Sequence, residues 1–264
     1  MKLVFTFIVI TIICSQNSFA VVISHNVPEA AYEVSVAPDY LIDMPHEGHG
    51  VLVASNWVLT VGHTIFYDYV GKEIEVAGEL YQITDVIFHP DYKPFPENFN
   101  FTNRKELKQF LFNRSDVALI QLSSDIRGLS PIKLYNNSDE QSKIIEVYGR
   151  GATGNGLTGM IIATKEQKKL RYFHNTILKA DENWLFYRFD PPKAAIPLEG
   201  IHGSGDSGGP SVIYQNKIPY LVGLSSWQTE GDEGEYSPML YGTTAYQVRV
   251  SKYIKWIESI IHKR

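Results

Sequence analysis

The chain has 264 residues, 44% of them hydrophobic, enough for one large or two small domains with sizeable cores. Its net charge of -5, with Lys and Arg scattered along the chain, argues against a nucleic-acid-binding surface. A single cysteine, Cys14, rules out a disulfide framework within the chain.

Residues 1–20 have the order of an export signal. Lys2 precedes an almost unbroken apolar run from Leu3 to Ile13, then come polar Ser15-Gln16-Asn17-Ser18 and the small-aromatic-small triplet Ser18-Phe19-Ala20. The run is too short to span a bilayer, so cleavage after Ala20 and a secreted mature chain are expected, extracellular or, in a bacterium, periplasmic. Cys14 leaves with that segment, so the mature chain is expected to carry no thiolate metal site either. Sequons at Asn100, Asn113 and Asn136 would be glycosylated only in a eukaryotic export route.

The mature chain then reads as short strands punctuated by turns. Val21-Val22-Ile23 is apolar, and Tyr32-Glu33-Val34-Ser35-Val36 alternates as a strand does. Gly50 to Ala54 and Trp57 to Val61, joined at Ser55-Asn56, make a hairpin with His63 just past its end. His46 and His49 flank Glu47, but with no further ligand nearby they read as a solvated loop and not as a metal site. More alternation runs from Ile74 to Phe88. The polar and aromatic stretch from Lys93 to Ser115 interrupts the rhythm, and within it Arg104 to Phe112 predicts a short helix with Leu107, Phe110 and Leu111 inward. Asp116 leads straight into an apolar strand ending at Leu122.

The second half repeats this grammar: a strand from Ile144 to Gly149, a glycine-rich loop to Gly159, and strands at Trp184 to Phe189, Pro219 to Trp227 and Tyr241 to Val250. Only the tail from Val250 to Ile261 has helical spacing, with Tyr253, Ile254, Ile257, Ile260 and Ile261 on one side. The predicted class is all-β: two packed antiparallel six-stranded barrels, about residues 21–135 and 136–250, closed by a helix over 250–262.

One stretch carries chemistry. In Gly203-Ser204-Gly205-Asp206-Ser207-Gly208-Gly209-Pro210 a serine sits among four glycines, as in a turn built to present a side chain. A serine hydroxyl is a poor nucleophile until a general base, a group orienting that base, and donors for the resulting oxyanion are supplied. Gly205-x-Ser207-x-Gly209 also satisfies the nucleophile elbow of α/β-hydrolases, but that fold places its histidine after the serine, and here only His262, in a basic tail, follows.

Trp57-Val58-Leu59-Thr60-Val61-Gly62-His63, Asp116-Val117-Ala118-Leu119-Ile120-Gln121-Leu122, Gly205-Asp206-Ser207-Gly208-Gly209-Pro210 and Ser225-Ser226-Trp227 together resemble the trypsin/chymotrypsin family of serine peptidases. The resemblance implies His63, Asp116 and Ser207 as catalytic residues and the N-H groups of Gly205 and Ser207 as the oxyanion hole. It implies protein or peptide substrates, lying along Ser226 and Trp227. No cofactor, metal, nucleic acid or, after signal removal, membrane is implied. Family members commonly pair a freed apolar N-terminus with the acid before the serine, here Val21 with Asp206. This chain has Ser24-His25 where the family commonly has glycines, and no Lys or Arg precedes Val21, so signal cleavage itself is expected to release the inserting end. By position relative to Ser207, Ile201 falls at the base of the primary specificity pocket, with Gln228 and Met239 narrowing its walls. An uncharged pocket for small or medium apolar side chains is expected, overhung by the 93–115 excursion. The competing class is a secreted homologue that binds partners without cutting them; the altered N-terminus and filled pocket favour it, the three intact positions do not.

Overall fold

The computed structural model describes residues 21–161, 169–229 and 239–262. The expected export signal with Cys14 lies outside the described residues.

Six antiparallel strands form a nearly closed barrel, in the order Leu41–Asp43, His49–Ala54, Trp57–Thr60, Ala118–Leu122, Glu79–Phe88, Glu73–Val76. Val58 and Leu59, and likewise Leu119 and Ile120, are consecutive on central strands and point to opposite faces, so these strands are buried on both sides. The second half of the chain builds a longer curled sheet: Arg171–Thr176, Ile144–Gly149, Pro210–Gln215, Ile218–Thr229, Thr244–Arg249, Trp184–Arg188, Lys179–Ala180. Beside it a small sheet sandwiches Val21–Ile23 between Thr153–Asn155, to which it runs parallel, and Gly200–Ile201. The second unit is thus a half-barrel with an added sheet, because the expected glycine-rich loop from Gly149 to Gly159 folds into a hairpin, Thr153–Asn155 with Gly159–Ile161, that captures Val21–Ile23.

The first apolar cluster does not stop at the barrel; it continues through Trp184, Trp227, Tyr246 and Val248 to Tyr253 and Ile257. Each such fully buried side chain stabilises by about 1.5–3 kcal/mol relative to exposure. The helix Val250–Ile261 therefore lays its Tyr253 and Ile257 face on the junction, as its spacing predicts.

The excursion's helix spans Arg104–Asn113, with Leu107, Phe110 and Leu111 half-buried. Asn103 caps it, its side-chain oxygen accepting from Glu106 N at 3.2 Å while its amide donates to the Glu106 carboxylate, a reciprocal cap that ends the preceding loop. The indole of Trp184 donates to Phe112 O at 2.8 Å and ties the helix to the second sheet. The expected strand at Tyr32 to Val36 is not one: Glu29–Tyr32 is a 3-10 turn that buries Tyr32, whose hydroxyl donates to Glu199 O at 3.0 Å. A tertiary hydrogen bond overrides the local alternation there.

Candidate active site

Thr60 lies opposite Ala118 in the barrel, so the turn after one strand and the residues before the other emerge at the same end. His63 sits in the 3-10 turn Gly62–Thr64, which the Thr64 hydroxyl closes on Val61 O at 2.7 Å. Gly62 is required because a Cβ there would stand 2.5 Å from the Tyr92 ring. Asp116 arrives fully buried while His63 keeps 27% of its side chain exposed.

Ser207 comes from the other unit. Its loop is braced to the barrel by His49 N donating to Ser207 O at 2.7 Å, and to the long sheet by Gly208 N donating to Ser225 O at 2.8 Å. Gly205 has φ +86°, where a side chain is strained. The Asp206 carboxylate, buried, takes Gly151 N at 2.6 Å and Gly203 N at 2.7 Å, holding the loop from inside. Among the described residues, the N-H groups of Gly205 and Ser207 make no hydrogen bond.

Three groups that the sequence points to thus come together. His63 Nε2 is 2.8 Å from Ser207 Oγ and His63 Nδ1 is 2.7 Å from Asp116 Oδ2. His63 N also donates to Asp116 Oδ1 at 3.0 Å. An ionised carboxylate only accepts, so Nδ1 carries the proton and Nε2 is left to accept from the serine hydroxyl. Burial alone would push the Asp116 carboxyl up, but His63 and Arg114 beside it hold it well below the usual carboxylate range.

Two further donors to Asp116 are not legible in the sequence. Ser226 Oγ donates to Oδ2 at 2.6 Å, and Arg114 Nη2 lies 3.2 Å from the same oxygen. Ser226, expected to offer backbone to a substrate, occupies an irregularity in the pairing between Ser225 and Trp227, and such a bulge re-aims its side chain inward.

The expected pocket residues are held by the second unit's own packing. Ile201 is fully buried opposite Val22 in the second apolar cluster, which also holds Met239, at φ +59°. Trp227 stacks on Tyr246 with ring centroids 3.6 Å apart. Gln228 turns its amide back onto His202 O. His202, absent from the sequence expectations, bonds through Nδ1 to Tyr187 Oη at 2.8 Å, and burial pushes its imidazole down to about 3, with a smaller contribution from His63. It is therefore neutral near pH 7. His49 is not in a solvated loop: it is buried, with Nδ1 3.0 Å from Asp43 Oδ1 and Nε2 accepting from Arg150 N at 3.0 Å. Among the described residues, no group of three or more His, Cys, Asp or Glu side chains is placed to hold a metal ion.

This architecture is chymotrypsin-like, the class in which serine peptidases are built on two packed β units. The chain belongs to the trypsin family, whose model it matches over residues 39–257. It is 26% identical over 240 residues to rat vitamin K-dependent protein C, an alignment covering 81% of this chain and 46% of that protein. It is 25% identical over 243 residues to mouse complement C1r-B subcomponent, covering 80% and 30% respectively, and 25% identical over 232 residues to lectizyme of Glossina austeni, covering 81% and 78%. The chain thus spans less than half the length of the first two relatives.

Proposed function

We propose that the chain is a secreted serine endopeptidase acting through an acyl-enzyme intermediate. The observation that carries this reading is the imidazole of His63 bridging Ser207 Oγ at 2.8 Å and Asp116 Oδ2 at 2.7 Å. Ser207 attacks the peptide carbonyl as His63 Nε2 takes its proton; the imidazolium then protonates the leaving amine, and a water repeats the sequence to release the acid. Asp116 keeps Nδ1-H in place and offsets the imidazolium charge. The unengaged N-H groups of Gly205 and Ser207 receive the oxyanion, each such donor being worth roughly a hundredfold to a thousandfold in turnover. An extended substrate would add as a strand along Ser226 and Trp227. The catalytic unit is the chain from residue 21 onward, made of the two β halves and the terminal helix.

A fluorophosphonate probe is expected to label the protein, and Ser207→Ala to abolish labelling. An unlabelled, folded wild-type protein would instead support a secreted binding homologue.

Pairing of Val21 with Asp206 is supported by register. Val21 runs parallel to Thr153, so the chain before it heads toward Ala152 and Gly151, and Gly151 N is bonded to Asp206. Val21 has φ +69°, an outlier for a β-branched residue. That torsion exists only while a residue precedes Val21, so cleavage after Ala20 would remove the strain and free an ammonium. The substrate side chain before the cut would be small or medium and apolar: Ile201, at the expected base, carries no charge, and Gln228, at the expected wall, bonds back onto His202 O. Purified active protein is expected to begin at Val21 and to spare peptides with Arg or Lys at that position. A terminus beyond Ile23, or preferred cleavage after Arg or Lys, would each overturn the corresponding part.

A further inference from the structure

We propose that Arg114 is a positioning residue that extends the working range of the His63 base toward acid, by holding a buried positive charge against the carboxylate that serves it. The inference rests on the serine-peptidase reading and adds a fourth group to it.

Arg114 is 3% exposed, and its Nη2 lies 3.2 Å from Asp116 Oδ2, the oxygen that also receives His63 Nδ1-H at 2.7 Å and the Ser226 hydroxyl at 2.6 Å. The guanidinium is gripped by rings, its Cζ 5.7 Å from the Tyr92 centroid and 5.4 Å from that of Phe95. A buried carboxylate alone favours the imidazolium strongly, because attraction between charges is little screened away from water. With a fixed cation on the same oxygen, part of the Asp116 charge is offset as seen from His63, the nearer carboxylate still outweighing the guanidinium. The imidazolium then gains less from Asp116 than it would with Arg114 absent.

The other groups around the pair do not supply this charge. Tyr92, from the loop after Glu79–Phe88, and Tyr253, from the terminal helix, both face Asp116, and burial pushes each phenol up, Tyr253 to about 12. Asp91, whose charge acts on Tyr253, cannot supply a positive charge, and Ser226 from the long sheet is neutral. His202, which faces His63, is neutral. Near pH 7 Arg114 is the fixed cation on Asp116 among the described residues.

The test is the rate of fluorophosphonate labelling of the full chain between pH 4 and pH 9, with thermal unfolding in parallel, for wild type, Arg114→Lys, Arg114→Met and Arg114→Gln. Met keeps an unbranched stem against Tyr92 and Phe95; Gln keeps an N-H donor for Oδ2 without charge. The acid limb is expected to move up by about one pH unit in Met and Gln, and to stay within about a third of that shift in Lys. Folded Met or Gln variants that lose rate equally at every pH, with the limb unmoved, would overturn the proposal and leave Arg114 a packing residue. Should Met not fold, Gln decides on the same criterion; should neither fold while Lys does, the charge serves stability and the proposal fails. An unlabelled wild type would sink the serine-peptidase reading itself, a different outcome from an unmoved limb.

Discussion

Asp116→Asn is expected to slow acylation of Ser207 by about ten-thousandfold. The carboxylate receives donors on both oxygens: His63 N on Oδ1, and His63 Nδ1, Arg114 Nη2 and Ser226 Oγ on Oδ2. An amide cannot satisfy that set in either orientation. With its oxygen in the Oδ2 position, its NH2 confronts the His63 backbone N-H. Turned over, the NH2 confronts three donors and drives His63 to the tautomer whose Nε2 bears a proton and cannot accept one. Both orientations lose the negative charge that offsets the imidazolium. They also leave the buried Arg114 without its counter-ion, a loss of about 3–5 kcal/mol when one member of a buried pair is removed. Labelling rate and unfolding temperature are expected to fall together, and a labelling rate within tenfold of wild type would refute the assigned role of Asp116.

The largest effect on folding away from the site is expected at Arg249. Glu140, fully buried, is held by Arg249 Nε at 2.8 Å and Nη2 at 2.9 Å and by the Ser251 hydroxyl at 2.6 Å, while Arg249 Nη1 donates to Asp181 O at 2.8 Å. The group pins the start of the terminal helix to the loop before Ile144. Arg249→Met leaves a buried carboxylate and is expected to cost about 3–5 kcal/mol near pH 7. Burial alone would raise the Glu140 carboxyl, but the hydrogen bonds from Arg249 and Ser251 win and lower it. A carboxyl lower in the folded than in the unfolded chain stabilises above its unfolded value, and that contribution fades as pH drops through the folded one. Denaturant titrations should therefore show the difference between wild type and variant narrowing as pH falls, beginning above the ordinary glutamate value of 4.5, where the unpaired buried carboxyl of the variant takes up a proton, and continuing down through the lowered wild-type one. A gap that stays constant into that range would show that lost packing, not the ion pair, is responsible.

His63, Asp116 and Ser207 are legible only together, through the family resemblance: a small residue after an apolar strand, an acid leading into one and a serine among glycines each say little alone. Fold class is legible more locally, since alternation with frequent turns reports strand after strand. Arg114 is not, because an arginine in the polar run from Lys93 to Ser115 looks solvated, and nothing local tells that Tyr92 and Phe95 will close over it. Ser226 is half legible: its motif marks the position, but the bulge that turns its hydroxyl to a residue 110 positions away is set by pairing with Thr244–Arg249. The same limit hides Tyr187, His202 and Gln247, three polar residues on separate strands or turns that bond one another only after the sheet has formed.

The hydrogen bond from His49 N to Ser207 O crosses between the unit that carries His63 and the unit that carries Ser207. Proton transfer over 2.8 Å tolerates little misplacement, an error of about 1 Å costing on the order of a hundredfold. On the proposed serine-peptidase reading, turnover would therefore be a gauge of how the two units are docked. Mutations anywhere along the shared apolar seam, Trp184, Trp227 and Tyr246 included, should dim activity in solutions where each sheet, taken alone, still looks intact by its circular dichroism.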